Sequence, residues 1–195
     1  GVLVGVVADG VPTSLTVEVR GELAALPVNV LGLSAVRGLF SAVVDEPVTF
    51  VNAPSVAAER GLSHEVVTAT ESPNHRSLVD VRAVFADGST ANVAGTLTEP
   101  REVEKIVNIN GRNFDLRAEG INLIASYTDQ PGSLGKIGTL LGNAAIDIEA
   151  AALSQDREGD GATIVLRVNT ELSDEVLSTI GDAVSATLIK QVDLS

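Results

Sequence analysis

The stretch YTDQPGSLGKIGTLLGNAAIDIEA, residues 127–150, holds the side chains best spaced for recognition. Asp129 sits just ahead of a helix start near Gly132 and Ser133, where the first backbone N–H groups have no intrahelical acceptor. Such N–H groups receive a carboxylate, and Asp129 accepts from an ammonium, so the pair suits a free α-amino acid. The competing assignment is that Asp129 caps the helix and Pro131 fixes the turn. Gly135, Gly138 and Gly142 each cost the helix about 1 kcal/mol relative to Ala, a cost that close approach of another surface would explain.

A second cluster lies in KIVNINGRNFDLR, where Lys105, Arg112 and Arg117 crowd one hairpin of a chain whose formal net charge is -13. With a two-residue turn at Asn110-Gly111, Lys105 and Arg112 share a face and Arg117 lies just beyond the pairing. An Arg fork beside a Lys point charge suits phosphate or a phosphorylated metabolite. Equally, Glu102, Glu104 and Asp115 could neutralise the three cations as surface pairs. Arg76, Arg82 and Arg167 are weaker candidates. The two histidines, His64 and His75, read as an exposed residue after a helix stop and a loop residue. GDGATI, residues 159–164, precedes a strand and lacks the third glycine of a dinucleotide fingerprint, so it reads as a turn. Neither a catalytic set nor a metal site is assigned.

Composition narrows the classes. The chain has 195 residues, enough for one large domain or two small ones, and its aromatic set is only Phe40, Phe50, Phe85, Phe114 and Tyr127. The core must therefore be aliphatic, and base stacking has few platforms. The acidity, shared by both halves, argues against nucleic acid and anionic membranes as partners. Without Cys there are no disulfides, thiolate zinc sites or iron–sulfur ligands. That fits a reducing compartment, and the cytoplasm is the expected location. The opening GVLVGVV is too short for a signal peptide and lacks its basic flank, so the chain reads as cut from something longer.

The elements that must position these groups follow from periodicity. SLTVEVRGELA, PVTFVNA, LVDVRAVFA and STANVAGTL read as strands, with Asp87-Gly88 supplying a positive-φ hairpin turn. LGLSAVRGLFSAVV reads as a helix, and so does NAPSVAAERG, capped by Asn52 and stopped by Gly61. From Ile121 the order is β-α-β-β-α-β, a ferredoxin-like unit, with EGDG as the turn between its middle strands. Leu134, Ile137 and Leu141 form one expected helix face, and Val176, Ile180 and Val184 the other. The class is α+β, with a mixed domain over 1–119 and the ferredoxin-like domain over 120–195.

YTDQPGSLGKIGTLLG resembles the strand-loop-helix of an ACT domain. With SPNHRSLVDVRAVFADGS, KIVNINGRNFDLRAEGINLI, GATIVLRVN and the closing VDLS, the whole chain resembles the C-terminal region of long-form, actinobacterial D-3-phosphoglycerate dehydrogenases. The resemblance implies an intervening allosteric substrate-binding domain followed by an ACT domain that binds L-serine between two copies. The implied serine-binding residues are Tyr127, Thr128, Asp129, Pro131, Gly132, Ser133, Leu134, Asp147 and Ile148. Asp147 stands where the family usually has Asn, and it reaches toward a serine held by the partner's loop. The resemblance places NAD and the catalytic trio in another part of the longer enzyme, so no cofactor is assigned to this chain and it is expected to be inactive alone. Phosphate or 3-phosphoglycerate is the implied ligand of Lys105, Arg112 and Arg117, and self-association through the ACT halves is implied as well. A stand-alone amino-acid sensor pairing with other proteins is the alternative. A hydrolase or lyase built on His75 lacks a nucleophile motif. A serine dehydratase has a similar intervening domain, but the absence of Cys excludes its iron–sulfur chemistry.

Overall fold

The computed structural model describes residues 1–7, 10–44, 47–98, 102–156 and 159–195. They form two compact units, Gly1–Gly111 and Arg112–Ser195. Among the described residues no helix is long and apolar enough to cross a membrane.

The first unit carries helices α1 (Val2–Val7), α2 (Asn29–Ser41) and α3 (Ala53–Glu59) and strands β1 (Ser14–Gly21), β2 (Ser63–Ala69), β3 (Ser77–Val84), β4 (Thr90–Thr98) and β5 (Val103–Ile109). These strands lie in the order β2-β1-β3-β4-β5. β2 runs parallel to β1, reached through α2 and α3, while the other pairings are antiparallel. Alternation works as expected on β1, where Leu15, Val17 and Val19 are buried, and α2 turns Val36, Leu39 and Phe40 inward.

Three expectations fail here for identifiable reasons. PVTFVNA is not a strand, because Asn52 Oδ1 accepts from the Thr49 N–H at 2.6 Å and Asn52 Nδ2 donates to the Pro47 carbonyl at 3.0 Å, closing a local turn. That same bonding occupies the Asn52 side chain, so it makes no capping bond to α3. The strand lies instead at SHEVVTA, whose outermost position leaves most of its side chains exposed and hides its period. The β3–β4 hairpin forms, but only Gly88 has positive φ at its turn, and Asp87 Oδ1 accepts from the N–H and Oγ of Ser89. At the Asn110-Gly111 tip both residues have positive φ, 48° and 80°.

The second unit consists of β6 (Arg112–Arg117), β7 (Ile121–Thr128), α4 (Ser133–Asn143), β8 (Ile148–Gln155), β9 (Gly161–Val168), α5 (Asp174–Val184) and β10 (Ala186–Asp193). Its four-stranded antiparallel sheet has the order β10-β7-β9-β8, the ferredoxin-like arrangement. Of the EGDG turn, Glu158 lies outside the described residues. Leu123, Ala125, Ile137, Leu141, Ile164, Leu166, Ile180 and Val184 share one core beneath α4 and α5. α5 presents the expected face and is capped by Ser173, whose Oγ accepts from the Val176 N–H. α4 is rotated relative to expectation: Ser133, Ile137 and Leu141 are buried, whereas Leu134 is 49% exposed. Ser133 tolerates burial because its Oγ accepts from the Gln130 N–H. The division at Gly111 precedes the expected boundary at Glu119 because β6 keeps with this unit, beside β8.

Identical substitutions should act with opposite sign at two helical glycines. A Cβ at Gly5 would lie 2.8 Å from the Leu39 carbonyl oxygen and 2.9 Å from Ala42 Cβ, whereas one at Gly138 meets nothing within 4 Å. Gly5→Ala should destabilise the first unit by about 1–3 kcal/mol through overpacking, and Gly138→Ala should stabilise the second by about 1 kcal/mol through helix propensity. Urea unfolding followed separately for each unit checks both.

Asp80 supplies a pH signature. Burial raises its pKa above the ordinary carboxylate value, and a bond from Asn92 only partly offsets this. Because the folded state holds the Asp80 proton more tightly than the unfolded state, its carboxylate opposes folding at neutral pH, and the opposition disappears as pH falls through the raised pKa. Asp80→Asn should therefore raise the thermal midpoint at pH 7 and change it less in the acid range.

Candidate functional site

The end of β7 is the centre of the site. β7 pairs with β9 as far as Thr128↔Gly161, so the chain leaving β7 runs beside the turn entering β9. The Asp129 N–H donates to the Asp160 carbonyl there. The carboxylate of Asp129 is held separately, with Oδ2 accepting from Gln155 Nε2 at 2.6 Å. Asp129 is thus fixed at both backbone and side chain, by residues on either side of the β8–β9 turn. It does not cap α4. Gly132, with φ 94°, occupies the N-cap position, and no side chain makes a capping bond there. The left-handed backbone at Gly132 favours glycine, and although the Ser133 N–H donates to the Gln130 carbonyl at 3.0 Å, the next N–H groups of the first turn remain open to an acceptor from outside the chain.

Tyr127, on the last turn of side chains of β7, is 3% exposed, and its hydroxyl has no hydrogen-bond partner among the described residues. Burial raises its pKa, with the negative charge of Asp129 adding to the effect. The phenol therefore stays protonated and can donate a hydrogen bond. Thr128, Pro131, Gly132 and Leu134 are exposed around this carboxylate, and Ser133 lies beneath them.

Asp147 and Ile148 are not brought to this place. Asp147 is exposed where the chain enters β8, its N–H donating to Asn169 Oδ1 at 2.9 Å. Gln155 ends the same strand, and β8 has eight residues, so the two ends are separated by roughly 23 Å at 3.3 Å per residue. Within one chain, Asp147 and Asp129 therefore face separate solvent. β8 is the outer strand of its sheet, with Leu153 on it 46% exposed. On α4 above, Lys136 Nζ donates to the Ala183 carbonyl of α5. Leu134, Gly138 and Gly142, spaced four apart, fall on the opposite flank, away from α5. Among the described residues β8 thus has no further strand paired to it in its own sheet, though β6 contacts it, and a Cβ at Gly138 or Gly142 on this helix flank would meet nothing within 4 Å.

Of the basic residues, Lys105 lies on β5 and Arg112 and Arg117 on β6, the strands before and after the Asn110-Gly111 turn. Lys105 belongs to the first unit, and Arg112 and Arg117 to the second. Arg112 Nη2 donates to Asp156 Oδ2 at 3.0 Å, while Nε lies 2.7 Å from Oδ1 as an ionic contact without hydrogen-bond geometry. A Cβ at Gly161 would intrude on this pair, 2.0 Å from Asp156 Oδ2. Arg117 lies 3.8 Å from Glu119, and Arg167 contacts the same Glu119 oxygen while its Nε bonds Glu149 at 3.1 Å. Arg117 and Arg167 therefore converge through Glu119. His64 is exposed on β2 and His75 is half-buried in the bend before β3. Among the described residues no three His, Cys, Asp or Glu side chains gather to hold a metal.

Sequence reading missed Gln155 and Leu153. The alternation of β8 could have placed both on one face of the strand, but the contact of Gln155 with Asp129 depends on two turns meeting and leaves no local pattern.

A family model described as the D-3-phosphoglycerate dehydrogenase intervening domain matches residues 1–110, and the ACT domain model matches residues 121–184. D-3-phosphoglycerate dehydrogenase of Mycobacterium leprae is 60% identical over 195 residues, covering 100% of this chain and 37% of that protein. The enzyme of the same name from Mycobacterium tuberculosis strain H37Rv is 62% identical over the same coverage. The Bacillus subtilis relative of that name is 27% identical over 180 residues, 92% of this chain and 34% of its own length. The chain spans a little over a third of the length of these curated relatives.

Proposed function

From the premise that this chain belongs to the D-3-phosphoglycerate dehydrogenase intervening-domain family, with an ACT domain following, we propose that it is the regulatory portion of such a dehydrogenase. In this reading it binds L-serine at the interface of two ACT domains and transmits feedback inhibition to a catalytic part that carries NAD. The observation that carries the reading is the pairing, in one loop, of a fixed carboxylate with an uncapped helix start. Asp129, held by Gln155, accepts from the ligand's ammonium, and the N–H groups of Leu134 and Gly135 receive its carboxylate, that of Ser133 being taken by the Gln130 carbonyl. Tyr127 lies at the same loop with a hydroxyl to donate.

The second copy enters through β8. Antiparallel pairing of two β8 edges sets Asp147 of one chain toward the Gln155 end of the other, near Asp129. The Leu134–Gly138–Gly142 flanks then face each other across the pair, and Leu153 is covered. Asp147, an acceptor only when ionised, joins Asp129 around the ammonium rather than serving the carboxylate.

A phosphate-class anion is proposed at the basic residues. Arg117, with a single 3.8 Å contact to Glu119, is the most available member, and Arg112, committed to Asp156, is the least.

Calorimetry and sedimentation test the serine reading together. L-serine should bind the chain, strengthen its dimer and lose its affinity in Asp129→Ala, and Leu153→Asp should weaken dimer and serine binding in step. Asp147→Asn should weaken serine binding. Monomer alone at micromolar concentration, with and without serine, or serine binding indifferent to Asp129→Ala, sinks the reading.

For the anion, titration with inorganic phosphate should be weakened about three- to tenfold by each of Arg117→Ala and Arg167→Ala, as expected for partly exposed charge contacts. Phosphate binding unchanged in both removes the site.

A further inference from the structure

We infer that Gln155 is a positioning residue for Asp129, making the site selective for ligands that carry an ammonium; the inference rests on the amino-acid reading above. Gln155 is the last residue of β8, it is exposed, and its Nε2 donates to Asp129 Oδ2 at 2.6 Å. A side-chain amide bound to one carboxylate oxygen leaves the other as an acceptor and restricts rotation of the carboxylate. The amide itself is anchored from its own backbone. Gln155 pairs with Ala162 across β9, and Ala162 is fully buried. The next residue, Asp156, has its N–H on the Gly161 carbonyl at 2.7 Å and its carboxylate on the Arg112 fork. Adjacent residues of one strand end therefore hold the ligand loop on one side and β6 on the other.

This anchoring decides between two roles for Gln155. As a competitor it would vacate Asp129 when ligand arrives, but its backbone is fixed on both sides and Asp129 has a second oxygen. Positioning follows: Gln155 keeps the Asp129 carboxylate aimed, and its loss lowers affinity only for ligands that use Asp129. L-glycerate has the carbon skeleton, hydroxyl and carboxylate of L-serine with a hydroxyl in place of the ammonium, so it reports the contacts that do not involve a positive charge.

The test is calorimetric titration of the full 195-residue chain with L-serine and with L-glycerate. In Gln155→Met, which keeps length and removes the donor, the preference for L-serine over L-glycerate should fall about tenfold, the scale of one charge-assisted hydrogen bond. L-glycerate binding should not change, whereas general damage to the loop would weaken both ligands. In an Asp129→Asn background, Gln155→Met should have no further effect on serine, because the partner it positions is gone. Full additivity of the two substitutions, an unchanged preference, or tighter serine binding in Gln155→Met overturns positioning while leaving the serine reading in place. Wild-type protein that binds no L-serine overturns the serine reading and this inference with it.

Discussion

The second unit depends on where the β7–β9 ladder ends. Its last pair, Thr128↔Gly161, delivers two chain segments side by side, and the β8–β9 turn adds a third. Asp129, Gln155, Asp156 and Asp160 meet because antiparallel register leaves them nowhere else to go. Hydrogen bonds among them then satisfy a loop that must leave a central strand and enter a helix within a few residues. The close approach of Asp156 to Gly161 follows from the same register, since any side chain at 161 would occupy the space taken by the Asp156 carboxylate.

What could be read from the sequence was what strong periodicity or a steric requirement dictates. The β-α-β-β-α-β order from Ile121 follows from alternation broken by two amphipathic stretches, and the Asn110-Gly111 tip follows from two residues suited to positive φ. Features set by tertiary contact could not be read. GVLVGVV has the β-branched composition of a strand, yet it is helical at Val2–Val7, where Gly5 fits closely against Leu39 and Ala42 of α2. Leu134 looks like the start of an apolar face, but a serine one residue earlier takes the buried place because its hydroxyl has a local partner. Asp129 could be singled out by residue type, whereas Gln155, whose role depends entirely on the meeting of turns, could not.

Charge was legible in amount and not in pairing. In a chain with 13 basic and 26 acidic residues, a hairpin dense in Lys and Arg invites assignment to an external anion, yet acidic side chains outnumber their partners. Arg112 finds Asp156, and Arg167 finds Glu119 and Glu149. Only geometry separates a guanidinium committed to an internal carboxylate from one that shares its carboxylate with a second guanidinium. Arg112 approaches both oxygens of Asp156, with one hydrogen bond from Nη2 and a close ionic contact from Nε, and its side chain is largely buried. Arg117 touches Glu119 through a single, longer contact and is correspondingly easier to recruit.

Under the proposed reading, regulation by a ligand shared between chains would place a further demand on the same surface. A ligand shifts an equilibrium only by the difference in its affinity for the two states, so an amino acid held wholly within one chain would leave pairing unchanged. The roughly 23 Å between the ends of β8 prevents one chain from supplying both Asp129 and Asp147 to one ligand, and antiparallel pairing is what makes that separation useful. In the proposed pair each ligand would take contacts from both chains and stabilise the pair through all of them. The unliganded edge cannot by itself be a very strong interface, or occupancy would have nothing left to shift. The three glycines of α4 fit that requirement: their Cβ positions meet nothing within the chain, so they weaken the isolated helix while allowing a second helix to come close. Stability withheld from the single chain would thereby be available to the proposed pair, and ligand occupancy would decide how much of it is realised.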